Sequence, residues 1–94
     1  MRVSILPSDG AVYIDGFSFS QLDLSFIPAD VHAIQWYGES GHVEYKDPAT
    51  GLMTKNEDID SLEAYQAAID AWGEAKAQYD RFQQQPEQTG AQDL

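Results

Sequence analysis

Two Asp-Gly dipeptides, Asp9-Gly10 and Asp15-Gly16, bracket the apolar stretch Ala11-Val12-Tyr13-Ile14 and constrain this chain more than any other feature. Both central positions of a type I′ turn need positive φ, which Gly adopts freely and Asp tolerates, so each dipeptide predicts a tight hairpin. The flanks fit this reading. Arg2 to Leu6 is an apolar run interrupted by Ser4, and Phe17-Ser18-Phe19-Ser20 alternates with period two, which puts Phe17 and Phe19 on one face. Three short strands in an antiparallel meander follow from these turns.

Further along, Leu22, Leu24 and Phe26 alternate with Asp23 and Ser25 until Pro28. That stretch reads either as a strand or as an irregular crossover with a helical turn over Phe26 to Asp30. Ala33 to Tyr37 and His42 to Lys46 then form a hairpin across Gly38-Glu39-Ser40-Gly41. Alternation turns Trp36 inward as a core anchor and Tyr37 outward. Asp47-Pro48-Ala49-Thr50-Gly51 is another turn, with Pro suited to its second position, and Leu52 to Thr54 make a short last strand.

At Asn56 the composition becomes acidic and a helical pattern begins. Asp60 and Glu63 have capping-box spacing. Leu62, Tyr65, Ile69, Trp72, Lys76 and Tyr79 step alternately by three and four residues, a heptad seam set among helix-favouring alanines. Such a helix over 61–84 would be about 35 Å long, whereas a small sheet needs only about three turns, roughly 16 Å, of cover. Its outer part would project, making Trp72, Lys76, Tyr79 and Phe82 the expected protein-binding surface, with Tyr37 a weaker member. Pro86 stops the helix. The chain thus reads as one α+β domain over 1–84: a meander of about five or six strands within 2–54, then one long helix. A flexible polar tail covers 85–94.

Composition narrows the function classes. With 94 residues, 16 acidic against 5 basic side chains and a net charge of −11, phosphate-backbone binding lacks its clustered cations, so no nucleic-acid partner is expected. The absence of cysteine removes thiolate nucleophiles, disulfides and Cys-based metal sites. His32 and His42 with Glu39 or Glu44 have the residue types of a two-His, one-carboxylate site, but ten residues across a loop do not bring them together by themselves. A calcium loop starting at Asp47 fails because Ala49 and Gly51 fall at ligand positions, and Ser40 lacks Gly-x-Ser-x-Gly spacing. No metal, cofactor or catalytic set is expected, and the small-enzyme reading is the weakest. No apolar stretch approaches the roughly 20 residues of a membrane span, and the N-terminal run before Pro7 is short for a signal peptide. The sharper idea is charge mimicry: Glu57, Asp58, Asp60, Glu63, Asp70, Glu74 and Asp80 around the helix could imitate nucleic acid and block a basic groove.

The segment Ile27-Pro28-Ala29-Asp30-Val31-His32-Ala33-Ile34-Gln35-Trp36, followed by Gly41-His42-Val43-Glu44-Tyr45-Lys46 and then by Asp58-Ile59, Tyr65 and Ala71-Trp72, carries a resemblance. It resembles small acidic proteins encoded beside tail and tail-fibre genes in tailed bacteriophages and prophages, over residues 2 to 76. The resemblance implies a non-enzymatic tail or tail-fibre accessory or assembly protein whose partner is another virion protein. It carries over no catalytic residue. Self-association through the C-terminal helix is a further expectation, as is residence in the host cytoplasm with incorporation into the particle left open. The rival reading is an acidic anti-defence inhibitor.

Overall fold

Asp15 and Gly16 both take positive φ, 50° and 84°, so β2 (Ala11–Ile14) turns within two residues into β3 (Phe17–Phe19), with Ile14 opposite Phe17. The other Asp-Gly dipeptide behaves differently. In the computed structural model, which describes residues 1–83, Pro7–Asp9 form a single 3₁₀ turn and only Gly10 is left-handed, at φ 61°. The fixed φ of Pro7 favours that turn over a two-residue hairpin. β1 (Val3–Leu6) still pairs antiparallel with β2, Val3 opposite Ile14 and Leu6 opposite Ala11.

Three further strands complete the sheet: β4 (Val31–Trp36), β5 (Gly41–Lys46) and β6 (Met53–Ile59). All pairs are antiparallel, but the spatial order is β3-β2-β1-β4-β5-β6. Two three-stranded meanders are therefore joined along β1 and β4, with Val3 opposite Trp36 and Ile5 opposite Ile34. The chain reaches β4 from the β3 edge through residues 20–30, which form an irregular crossover rather than a strand. Leu24 and Ile27 are buried under it, while Phe26 is exposed. The Leu22 N–H donates to the Gly10 carbonyl (2.9 Å), and the Ser25 N–H and hydroxyl both donate to Asp23 Oδ1.

β4 carries a bulge. Val31 faces Tyr45 and Ala33 faces Glu44, so His32 is the extra residue. One unpaired residue shifts the parity of the strand. Val31 is thus buried together with Ile34 and Trp36 despite odd spacing.

The last strand and the helix start differ from the sequence expectation. Strand β6 extends to Ile59, with Glu44 opposite Asn56 and His42 opposite Asp58, so the acidic run before the helix is a sheet edge. Six of its seven residues are exposed, which leaves no alternating apolar pattern to read. The helix α1 (Gln66–Gln83) begins later than residue 61, after a 3₁₀ turn at Glu63–Tyr65. Ser61, not Asp60, serves its entry: the Glu63 N–H donates to the Ser61 hydroxyl (3.0 Å). At 18 residues α1 is about 27 Å long. Residue 84 of the expected helix and the expected tail over 85–94 lie outside the described residues.

The fold is thus α+β, a six-stranded antiparallel sheet followed by one long C-terminal helix. One sheet face forms the core: Val3, Ile5, Val12, Ile14, Ile34, Trp36 and Val43 are buried there, closed by Leu24, Ile27, Leu62 and Ala68. At Gly41, β5 lies tight against β4. A Cβ at this position would overlap the Gln35 carbonyl oxygen and press on Trp36 Cα, both backbone atoms that cannot step aside. Gly41→Ala is therefore expected to cost about 1–3 kcal/mol, the usual range for forced overpacking. A lowered urea midpoint with an unchanged m-value would show it.

Candidate protein-interaction surface

Where α1 passes the β3 edge, the aromatic residues of both elements meet. The Trp72 indole Nε1–H donates to the Phe17 carbonyl (2.8 Å), which ties the middle of the helix to an edge strand only three residues long. Around that bond the rings stack edge-on. Trp72 lies 6.5 Å from Phe17 and 6.1 Å from Phe19, and Tyr79 lies 5.2 Å and 6.1 Å from the same two rings, at interplanar angles between 69° and 89°. Such tilted geometries place positive ring edges against negative faces. Lys76 is held between them. Its Nζ contacts both carboxylate oxygens of Asp80 (2.8 and 2.9 Å) and sits 5.0 Å from the Phe17 ring centre.

Of the five surface residues named from sequence, the structure brings Trp72, Lys76 and Tyr79 together on this patch. Trp72 is half-buried and faces the core, whereas Tyr79 is 41% exposed and Phe82, one turn further out, is 59% exposed. Tyr37 is separate. It is 56% exposed on the β4–β5 turn, with the Arg2 guanidinium 4.4 Å above its ring and the His42 ring 5.9 Å away. Sequence reasoning did not include Phe17 and Phe19 in the surface. Their shared face was legible from alternation, but which strand lies under the outer half of the helix depends on strand order.

No protein-family model, curated protein or solved structure matches the chain.

The uncovered sheet face is polar. Strand registers align Ser18, Tyr13, Ser4, Gln35, His42 and Asp58 in one row across all six strands. Arg2 Nη2 and the Ser4 hydroxyl both donate to Gln35 Oε1 (3.1 and 2.6 Å). His42 Nε2 lies 2.9 Å from Glu44 Oε2, but His32, displaced at the bulge, does not join them. Among the described residues no three His, Asp or Glu side chains group as a metal site would need. No described helix is long and apolar enough to cross a membrane. Of the acidic side chains expected around the helix, Glu57 and Asp58 lie instead on β6; these two with Asp60, Glu63, Asp70 and Glu74 are exposed, while Asp80 is engaged by Lys76.

A second cluster lies on β5 and β6, near Tyr65 of the turn that precedes the helix. The Tyr45 hydroxyl donates to Glu57 Oε1 (3.2 Å), and Lys55 Nζ lies 5.1 Å from the Tyr45 ring. Burial, then the Glu57 and Asp30 carboxylates, hold the Tyr65 hydroxyl above its ordinary value of 10.0; burial and Glu57 raise Tyr45 likewise. The folded state keeps these protons where the unfolded chain releases them. Their contribution is therefore complete below pH 10 and is lost as pH rises through the raised values. Urea unfolding at about pH 9 and about pH 11 is expected to show a steeper loss for the wild type than for Tyr65→Phe. Equal losses would mean that Tyr65 ionises as freely in the folded protein as in the unfolded chain.

Proposed function

We propose that this protein acts by binding another protein through the outer end of α1 and the β3 edge. The observation that carries the reading is the exposure of Tyr79 and Phe82 on a helix already fastened to its sheet at Trp72. Large aromatic rings on a rigid support lose little conformational entropy when covered, which is why they dominate protein interfaces. Phe17, Phe19 and the Lys76–Asp80 pair supply the rest of the patch, apolar at its centre and charged at its border. The proposed biological setting is a tailed bacteriophage or prophage, with a tail or tail-fibre protein as partner and the chain as an accessory or assembly factor. That setting rests on the resemblance of residues 2 to 76.

The acidic-inhibitor reading keeps one observation in its favour, the exposure of Glu57, Asp58, Asp60, Glu63, Asp70 and Glu74. Salt separates the two. Burial-driven association changes little with ionic strength, whereas groove blocking by carboxylates weakens steeply once charges are screened within about 10 Å at 0.1 M. Titration calorimetry against the tail and tail-fibre proteins of the encoding phage is the direct test. The Tyr79→Ala/Phe82→Ala double variant is expected to lose roughly 30-fold or more in affinity, as two aromatic anchors at about 1 kcal/mol each imply. It should keep most of its stability, because Trp72 stays bonded to Phe17. Unchanged affinity in the double variant would remove this surface from consideration.

A further inference from the structure

β6 is the open edge of the sheet on the side away from α1, and Met53 through Asp58 are exposed along it. An edge strand of this length is a template for another strand, and native proteins usually blunt such edges with Pro, a bulge or a covering loop. Strand β6 contains no Pro, and its bulge is at Thr54, the extra residue between Met53 (opposite Lys46) and Lys55 (opposite Tyr45), which leaves the run from Lys55 to Ile59 regular.

The backbone phase of that edge follows from the hairpin beside it. The Tyr37 N–H donates to the Ser40 carbonyl (2.8 Å) at the head of the β4–β5 turn. Alternation along an antiparallel ladder then aims the backbone groups of His42 and Glu44 at β4, and those of Gly41, Val43 and Tyr45 at β6. Their partners Ile59, Glu57 and Lys55 are bonded to β5. Over the regular part of the strand, Asn56 and Asp58 carry the outward N–H and C=O groups.

We propose that this edge pairs with the same edge of a second copy of the chain, antiparallel about a two-fold axis at Asn56. In that register Asn56 meets Asn56 of the other copy through two reciprocal backbone bonds. On either side of it Lys55 stands opposite Glu57, in the non-bonded pairs where side chains come closest. The central sequence Lys55-Asn56-Glu57 is complementary to its own reverse, as an isologous interface requires. The register is also defended on both sides. Moving the axis to residue 55 puts Lys55 against Lys55, and moving it to residue 57 puts Glu57 against Glu57, like charges directly opposite. Lys55 and Glu57 are already steadied beside the Tyr45 ring and hydroxyl. Because α1 packs on β2 and β3, the dimer would carry its two aromatic patches at opposite ends of one continuous sheet.

Light scattering of the whole chain at increasing concentration, from ~10 μM to ~1 mM, tests the pairing, since dimerisation follows mass action. The wild type is expected to approach twice the monomer mass. Asn56→Pro, which removes a central N–H not used within the monomer, is expected to remain monomeric with an unchanged urea midpoint. Lys55→Glu should weaken the dimer tenfold or more, and Lys55→Glu/Glu57→Lys should restore it by exchanging the charges across the axis. In the wild type, amide exchange at Asn56 should slow as the dimer forms. A wild type that stays monomeric throughout, a dimer that survives Asn56→Pro, or a charge exchange that fails to rescue Lys55→Glu would each overturn the proposal. These variants leave Tyr79 and Phe82 intact, so the outcome is independent of the helix surface.

Discussion

The pairing of β1 with β4 holds this protein together. Each of the two meanders is stabilised by local turns, but neither alone encloses a core, and small sheets need a covered face to be stable. Laying Val3 against Trp36 and Ile5 against Ile34 makes one continuous sheet from the two halves. Val3, Ile5 and Ile34 are then completely excluded from solvent, with Val12 and Val43 beside them. The crossover over residues 20–30 exists to make that pairing possible, and it adds Leu24 and Ile27 to the same core.

From this junction the sheet runs outward to two unequal edges. On one side β3 is short and is clamped by α1 through the Trp72–Phe17 hydrogen bond and the rings around it. On the other side β6 is longer, polar and uncovered. A chain of this size buries only about 60–65% of its unfolded surface. One helix therefore cannot cover every strand, and the uncovered parts are where partners have access. The aromatic end of α1 and the edge of β6 are chemically distinct, the first apolar and aromatic, the second a ladder of free backbone groups with alternating charges.

The acidic balance of the chain has no single structural purpose. Most of the carboxylates around the helix and β6 stand in solvent, and the Lys76–Asp80 ion pair is partly exposed, as is the His42–Glu44 contact. Exposed pairs of this kind contribute at most about 1 kcal/mol, so burial decides the fold and charge acts on association.

The sequence alone determined features with local causes. The Asp15-Gly16 turn, the Trp36–Gly41 hairpin, the inward Trp36 and the long amphipathic helix each rest on contacts within a few residues, and each was legible. The tertiary structure decided what depends on distant partners. Asn56 to Ile59 form a strand because β5 supplies their hydrogen bonds, although their side chains show no strand pattern. Pro7 redirected the first Asp-Gly turn, and the bulge at His32 shifted the parity of β4, neither of which the hydrophobic pattern reports. Phe17 and Phe19 joined the candidate surface only because the strand order places β3 at the edge that α1 crosses. Hydrophobic period records which side chains need burial, whereas strand order records which backbones found each other, and only the folded chain sets the second.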